Sequence, residues 1–400
     1  MSTNLPNSLR LARLRLGWSL DRLASVSDSI PTKQMLSKYE TGAAKPPPEV
    51  LCQLAVALGV PLSALVTEQD TEVRFVAFRR HSTLSVTEQE KIKAEITWQI
   101  QGRRKLSAAV GEPRVNWRAF SASAKSPEEA ERHAVELRDE WKLSRNAISN
   151  LTAVMEEQGA EVFMLEAHEK FSGISAWTED GQPVAVVQKR KQDGARQRMD
   201  LAHELAHVIL SRDSTVEPED YAKRFAGAFI FPESAAFAEL GRKRSDFRLA
   251  ELRATKMRYG ISIQGIIRRA RDLEIITEAT YKKWSMLISK WGLRKDEGSP
   301  YVPVERPTRP VCLASRAVAE DLLPVEEAVR LGNLGSEEAQ DLKPAPAELS
   351  PQERFLRMSQ SDRAKAFLHE SKVMAHFYAE HPEEVIPDFS DESEHEPQTR

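Results

Sequence analysis

The strongest constraint on this chain is an H-E-x-x-H pattern formed by His203, Glu204 and His207 inside the apolar run 199–210. On a helix, residues four apart stack on one face, so both imidazoles can reach a single ion. Apolar neighbours such as Leu205 give that helix a core-facing side. The alternative is that both are ordinary surface or core histidines. With only 9 histidines in 400 residues a chance match is rare, and most chance matches lack the helical context.

This spacing predicts a catalytic zinc site. Zinc accepts imidazole nitrogens, and a catalytic zinc takes three protein ligands and leaves its fourth position for water. His203 and His207 would supply two of those ligands. Glu204 follows the first histidine closely enough to take a proton from that water.

Composition limits the class of protein. Four hundred residues predict two or three domains, and 41% apolar residues suffice for a folded core. The net charge of −3 gives no global sign of a nucleic-acid partner, so such a partner must be argued locally. Cys52 and Cys312 are the only cysteines and lie far apart, which argues against a disulfide framework and fits a reducing cytosol. We find no signal-peptide pattern and no apolar run near the roughly 18 residues of a membrane span, so we expect a cytoplasmic protein without membrane contact.

The first domain, residues 1–66, is predicted as a compact set of short helices. Ser19 can cap the second helix, Thr32 can cap a third over residues 33–40, and Gly59 ends the fourth. Helix, turn and polar third helix is the outline of a helix-turn-helix, whose second motif helix enters the major groove. Seven Lys or Arg against four Asp or Glu give this domain a local charge of only +3.

The sequence pattern of this domain is more specific than its charge. Ser-Lys-Tyr-Glu-Thr-Gly at 37–42, followed by Pro46 and Leu-Ala-Val-Ala-Leu-Gly-Val at 54–60, closely resembles the xenobiotic-response-element (XRE) type of helix-turn-helix, as in phage repressors. The resemblance implies binding to duplex DNA through five residues, Thr32, Lys33, Gln34, Ser37 and Lys38. Of these, Gln34 is suited to read an adenine edge, and the two lysines to contact phosphate. The alternative is a dimerisation or protein-docking module, which this fold also serves.

Residues 67–127 are predicted to connect this domain to the next. Residues 74–81 alternate enough for a short strand or extended link, and residues 85–101 are predicted as a helix. Three cationic residues at 103–105 are interpreted as a solvated face. Small polar residues at 121–127 favour a domain boundary.

The second domain, residues 128–292, combines helices with a small sheet. Two helical segments precede strand-like runs at 162–165, 174–177 and 184–187, with an Asp-Gly turn between the last two. The motif helix follows directly. A small sheet laid against such a helix is how zincin peptidases are built, and an edge strand can hold an extended peptide beside the metal.

A further helix is predicted over residues 219–230, halted by Pro232. The order helix, helix, strand, hairpin, H-E-L-x-H and then E-x-x-A-x-x-F-A ending in proline resembles the ImmA/IrrE family of zinc metallopeptidases, as does the segment 259–270. Members often carry Gly where Ala206 stands, a change that touches no ligand. The resemblance implies a Zn²⁺ peptidase that cleaves DNA-binding repressors of the helix-turn-helix class, in stress response or mobile-element transfer.

Glu219 is predicted as the third zinc ligand. Asp213 follows the motif helix so closely that we expect it in the C-terminal turn, facing away, and Glu217 precedes Pro218, which suits the residue before a helix. Glu219 shares the small-residue face of the next helix, from which Asp220 is rotated by about 100°. By the family resemblance, the E-x-x-A glutamate also falls on Glu219. The adjacent acids leave the assignment open by one or two positions, and an acidic first turn that merely complements the helix dipole is the alternative.

The rest of the chain is less informative. Residues 293–379 are predicted as a proline-containing helical extension, and residues 380–400 carry eight acids against one arginine, which predicts a disordered acidic tail. A merely solubilising tail is favoured over one that imitates DNA or recruits a partner. The predicted fold is mainly α with a small sheet (α+β): an N-terminal helix-turn-helix domain, a minimal zincin-like metallopeptidase domain and a helical C-terminal extension.

These features predict a cytoplasmic regulator that combines sequence-specific DNA binding with zinc-dependent endopeptidase activity. Its partners would be duplex DNA and a protein substrate, by resemblance a helix-turn-helix repressor, and a homodimer is left open. One alternative is a non-enzymatic transcription factor with a zincin-like sensor or docking domain. The intact Glu204 argues against it, because a sensor needs no base. Another is a toxin–antitoxin component in which the first domain neutralises the second.

Overall fold

The computed structural model describes residues 5–26, 31–66, 72–76, 84–112, 117, 120–168, 171–189, 193–294, 296–343, 355–356 and 358–381. Within them the chain is mainly helical with one small sheet, which confirms the predicted fold class. The chain divides into two compact units, Met1–Leu342 and Lys343–Arg400, which are described separately.

Five short helices make up the start of the first unit. They are α1 (Leu5–Arg15), α2 (Leu20–Ala24), α3 (Lys33–Glu40), α4 (Pro48–Leu58) and α5 (Leu62–Val66). Ser19 caps α2 as predicted, since its hydroxyl accepts a hydrogen bond from the N–H of Arg22 at 3.0 Å. The predicted cap at Thr32 is wrong, because its exposed side chain makes no capping bond to α3. Gly59 ends α4 at φ 65°, a left-handed conformation that glycine adopts without strain.

One buried ion pair holds α3 against α1. Arg13 donates to both carboxylate oxygens of Glu40 at 2.6 Å, and a third bond runs to the carbonyl of Trp18. The two side chains are only 9% and 7% exposed. Leucines from α1, α3 and α4 fill the small core beside this pair. The ion pair and the core therefore fix the inner side of α3, and its outer side is exposed.

A four-stranded sheet lies in the same unit. Its strands are β1 (Val73–Phe75), β2 (Glu161–Leu165), β3 (Gly173–Thr178) and β4 (Pro183–Gln188), in the order β1-β3-β4-β2. β2 and β4 are parallel, whereas β3 runs antiparallel to both β4 and β1. The three strands and the hairpin predicted for the second domain are confirmed. Of the extended stretch predicted at 74–81, residues 77–81 lie outside the described residues, and the pairing of β1 with β3 was not predicted.

Nine helices of the described chain surround this sheet up to residue 290. They are α6 (Val86–Ala109), α7 (Glu129–Glu140), α8 (Leu151–Glu157), α9 (Gly194–Ile209), α10 (Pro218–Ile230), α11 (Glu233–Leu240), α12 (Leu249–Tyr259), α13 (Ile263–Asp272) and α14 (Glu278–Lys290). The main core lies among α7 to α14 and one face of the sheet. It also includes Ala122 and Ala124, which are buried within the stretch 121–127 that was read as a boundary.

Helix α6 covers the opposite face of the sheet. Three isoleucines at 92, 96 and 100 pack there, while Trp98 packs against the core of the first five helices. Arg15 of α1 pairs with Glu95 at 2.8 Å and lies over the Trp98 ring. The solvated face expected at 103–105 is wrong for Arg103, which is buried. Its guanidinium pairs with Glu161 and lies over a phenylalanine ring of β2, because the end of α6 runs across that strand.

The predicted extension after residue 292 is tied to the start of α9. The N–H of Gly194 donates to the carbonyl of Val302 at 2.9 Å, and the amide of Gln197 bonds both backbone groups of Glu305. Three further helices follow, α15 (Arg309–Ala319), α16 (Val325–Gly332) and α17 (Ser336–Asp341). The first two of these share a core with the end of α6.

The second unit is described by one exposed helix, α18 (Gln360–Glu380). Most of the predicted acidic tail, residues 382–400, lies outside the described residues. Among the helices that are described, none has the length and apolar character needed to cross a membrane.

Candidate metal centre

Helix α9 places the H-E-x-x-H motif between the sheet and α10. Asp193 begins the helix, since its carboxylate accepts the N–H of Ala195 at 3.1 Å, and it is itself paired with the buried Lys256. Alanines at 202 and 206 are fully buried, and their small size lets α10 approach closely. The motif is thus held on a helix whose start and middle are both fixed by packing.

Helix α10 begins where the sequence predicted. Glu217 is the residue before the helix and Pro218 occupies its first turn. Glu219 follows in that turn, and Tyr221 is fully buried with its hydroxyl 3.0 Å from Nδ1 of His133 on α7. This contact anchors the start of α10, and with it Glu219, to the core.

His203, His207 and Glu219 converge on one point. The Nε2 atoms of the two histidines are 3.1 Å apart, Nε2 of His203 lies 3.4 Å from Glu219 Oε2, and Nε2 of His207 lies 3.3 Å from Glu219 Oε1. Zinc bonds of 2.0–2.1 Å in tetrahedral geometry separate neighbouring ligand atoms by about 3.3 Å. The three donors therefore have the types and spacing that a zinc ion requires. Among the described residues, they are the one cluster of three or more His, Cys, Asp or Glu side chains that could hold a metal ion.

The charge on Glu219 is favoured by its surroundings. Hydrogen bonds from His203 and then from His207 hold the pKa of its carboxyl far below the usual value for glutamate, against the opposing effect of burial. Glu219 therefore offers a negatively charged metal ligand that faces both imidazoles.

The other acids considered for the third ligand point elsewhere. α9 ends at Ile209, so Asp213 lies beyond the helix rather than in its C-terminal turn as predicted, and it bonds the hydroxyl of Ser211 at the surface. Asp220 is exposed. Of these candidates, the structure brings only Glu219 to the histidines.

Glu204 is buried beside this group. Its side chain faces β3, where Gly173 leaves the room: a Cβ there would lie 2.6 Å from Glu204 Oε1 and 2.9 Å from the carbonyl of Val186. Glu204 Oε2 has no hydrogen-bond partner among the described residues. Burial, and then the nearby charges of Asp200 and Glu219, raise the pKa of this carboxyl well above the usual range for glutamate.

The need for glycine at position 173 was missed by sequence reasoning. A glycine at the start of a predicted strand is a common feature, and nothing local in the sequence relates it to a carboxylate 31 positions later. Only the packing of α9 across β3 makes the relationship visible.

An open cavity of about 740 Å³ lies next to His207. Its wall combines Arg74 and Val76 at the edge of the sheet with aromatic residues that include Phe120 and Trp177.

The residues predicted to contact DNA lie on the outer side of α3 or directly before it. Thr32, Lys33, Gln34 and Lys38 are exposed and Ser37 is half-buried. Lys33 also forms an exposed pair with Asp21 on α2 at 2.7 Å.

The fold and this group of residues define two classes of domain in one chain, a helix-turn-helix and a zincin-like metallopeptidase domain. Residues 9–65 match the helix-turn-helix family. Residues 155–271 match the family described as the IrrE N-terminal-like domain. The two matches confirm both resemblances: the first region is similar to XRE-type helix-turn-helix domains, and the second to ImmA/IrrE-type domains. No curated protein matches the chain.

Proposed function

We propose that this protein is a transcription regulator that binds duplex DNA through α3 and cleaves a protein substrate, a helix-turn-helix repressor, at a zinc site formed by His203, His207 and Glu219. The observation that carries the proposal is the spacing of 3.1–3.4 Å among the three donors, with the buried carboxylate of Glu204 beside them.

The chemistry fits peptide hydrolysis. Zinc, when bound, would supply a Lewis acid that polarises the scissile carbonyl and makes a neighbouring water more acidic. Glu204 would take the proton of the attacking water and pass it to the leaving amine. Its burial and raised pKa suit that task, because a carboxyl group with a raised pKa accepts a proton more readily than an ordinary glutamate does.

A non-enzymatic sensor is the competing function, and the surroundings of Glu204 argue against it. Glu204 is 5% exposed, and one of its carboxylate oxygens has no hydrogen-bond partner in the part of the chain that the structure describes. Burying an ionisable group in this way destabilises the fold. A sensor needs the three donors but gains nothing from such a carboxylate. A peptidase needs this group close to the water that it activates.

DNA binding is supported by the exposure of α3. Gln34 and the two lysines at 33 and 38 project from a helix that is held from beneath by the buried pair of Arg13 and Glu40. That arrangement leaves the outer side of α3 available for a major groove.

The test is the Glu204→Gln substitution in the full-length, zinc-loaded protein. Levels of cellular proteins are compared by mass spectrometry between cells that express the wild type and cells that express this variant, and a protein that persists only with the variant is then cleaved in vitro. We expect zinc content to stay unchanged and the cleavage rate to fall by about 10²–10⁴ or more.

Asp220→Asn is the matched control, since it removes an exposed acid one residue after Glu219. It should retain both zinc and cleavage. Undiminished cleavage by Glu204→Gln would refute the role of this residue. Identical protein levels in both strains would instead favour the sensor function.

A further inference from the structure

The edge of the sheet nearest the metal donors is paired with a strand from outside the peptidase domain. β1 comes from the connector between α5 and α6, yet Val73, Arg74 and Phe75 pair with residues 176–178 of β3. The N–H of Val76 extends this ladder by donating to the carbonyl of Ser175 at 2.9 Å. The outer backbone groups of β3 from residue 175 to residue 178 are therefore already hydrogen-bonded.

This edge belongs to the strand that contacts Glu204. Gly173 faces the Glu204 carboxylate, and Ser175 also lies beside it. Trp177, two residues further along the same face, lines the cavity that His207 borders. Arg74 pairs directly with Trp177 and lines that cavity too. β1 thus forms the wall of the cleft beside the metal donors.

β1 occupies the backbone positions that an extended peptide would use if it paired with β3 in the antiparallel direction. β1 is antiparallel to β3, so its chain advances from Thr178 towards Ser175 and the Glu204 carboxylate. A polypeptide that pairs with a sheet edge uses the same backbone groups and gains most of its affinity from them. Such a peptide cannot pair with β3 at 175–178 while β1 is in place.

β1 is also weakly held. It has three residues, Arg74 is exposed, and the neighbouring Val76 is 43% exposed. The side chains of Val73 and Phe75 are only partly buried against the core under α6. A short edge strand with so little buried area can be exchanged for another segment at low cost.

We propose that β1 is an inhibitory strand in cis: it occupies the edge of β3 on which an extended polypeptide substrate pairs, and substrate enters when β1 leaves. This inference rests on the proposed peptidase function. β1 lies directly after the helix-turn-helix domain in the chain. The segment that joins the two domains therefore controls access to the peptidase site.

The first test compares two double variants that both lose the side chains of Arg74 and Val76, but only one of which also loses the backbone hydrogen bonds of β1. In an antiparallel ladder alternate residues are hydrogen-bonded, so the N–H groups of Arg74 and Val76 both point at β3. R74P/V76P removes both N–H groups, and R74A/V76A retains them. The probe is the fluorescein-labelled peptide Glu-Val-Arg-Phe-Val, the sequence of residues 72–76, added to full-length zinc-loaded protein that also carries Glu204→Gln.

We expect R74P/V76P to bind the probe at least about tenfold more tightly than R74A/V76A, measured by fluorescence anisotropy. Equal affinity in the two variants would overturn the inference. The binding assay needs no cleavage. A difference in probe affinity combined with no cleavage by the protein that retains Glu204 would refute the proposed peptidase function and leave the inhibitory strand intact. With Glu204 restored, cleavage of the identified substrate should rise about tenfold in the proline variant.

A second experiment tests the inhibitory strand if the prolines prevent folding. Phe75 and Ala176 face each other at a pair without ladder bonds, where Cα atoms are about 4.5 Å apart and a disulfide can form. F75C/A176C, with Cys52 and Cys312 replaced by serine, locks β1 when oxidised. Probe binding should be lost in the oxidised form and return on reduction. An affinity that is the same in both forms would refute the inhibitory strand.

Discussion

Helices α3 and α9 both carry side chains that we propose to be functional, but the two helices are packed in opposite ways. α3 stands on a small core and turns its predicted DNA contacts outward. α9 is enclosed by the sheet and α10, and Glu204 and His207 are buried with it. Single substitutions on the exposed side of α3 should therefore act locally, whereas substitutions around α9 should shift several neighbouring side chains together.

The largest effect should come from the inner side of α3, where the Glu40 carboxylate is only 7% exposed, so α3 is not tolerant of change at every position. Glu40→Ala leaves the guanidinium of Arg13 buried without its partner, which typically costs about 3–5 kcal/mol. Asp21→Ala, which breaks the exposed pair with Lys33, should cost no more than about 1 kcal/mol. Chemical denaturation of both variants measures the two free energies of unfolding. Similar values would mean that the Arg13 pair does not anchor α3.

Next in size is the loss of a metal donor. Glu219→Ala leaves two imidazoles and should weaken zinc binding by at least about 10²-fold. Glu217→Ala and Asp220→Ala, which alter the neighbouring acids, should keep the wild-type affinity. Competition with a fluorescent zinc chelator gives the three dissociation constants. Weaker binding by either control than by Glu219→Ala would move the third ligand to that position.

Gly173→Ala tests whether the packing of β3 against α9 fixes the position of the Glu204 carboxylate. The added methyl would meet the Glu204 carboxylate and the carbonyl of Val186, so the base must shift. A misplacement of about 1 Å can cost roughly 10² in rate, and zinc affinity should stay within a few fold. Gly227→Ala is the control, because its Cβ would make only an ordinary contact with Arg269 at 3.5 Å. Cleavage rates and zinc titrations of both variants separate positioning from metal binding.

The smallest effects should be on the outside of α3. Gln34→Ala should lower discrimination between cognate and altered DNA by about 1–3 kcal/mol. Lys38→Ala should weaken binding to all sequences alike and reduce the salt dependence by about one phosphate contact. Gel shifts over a range of salt concentrations distinguish the two patterns. The absence of DNA binding at low salt would favour the protein-docking alternative for this domain.

The sequence predicted the elements that local patterns encode. α3 begins and ends at the predicted residues, and the motif on α9 indicated where the histidines and Glu204 lie, since a helical period fixes which side chains share a face. Helical spacing on α10 also selected Glu219, which does face both histidines. Relations between distant segments were not accessible in this way. Arg103 was read as solvated because no local pattern shows that α6 crosses β2.

Helix α6 has a consequence for genetics. It contributes side chains to three cores, through Ile96 under the sheet, Trp98 against the first helices, and Leu106 against α15 and α16. Substitutions at these three positions of α6 should therefore impair both proposed functions, DNA binding and proteolysis, in the same allele. Screens that assign function from phenotype would mark α6 as part of both sites although it belongs to neither. Alleles that separate the two phenotypes should instead map to the exposed side of α3 and to the few residues around the metal donors.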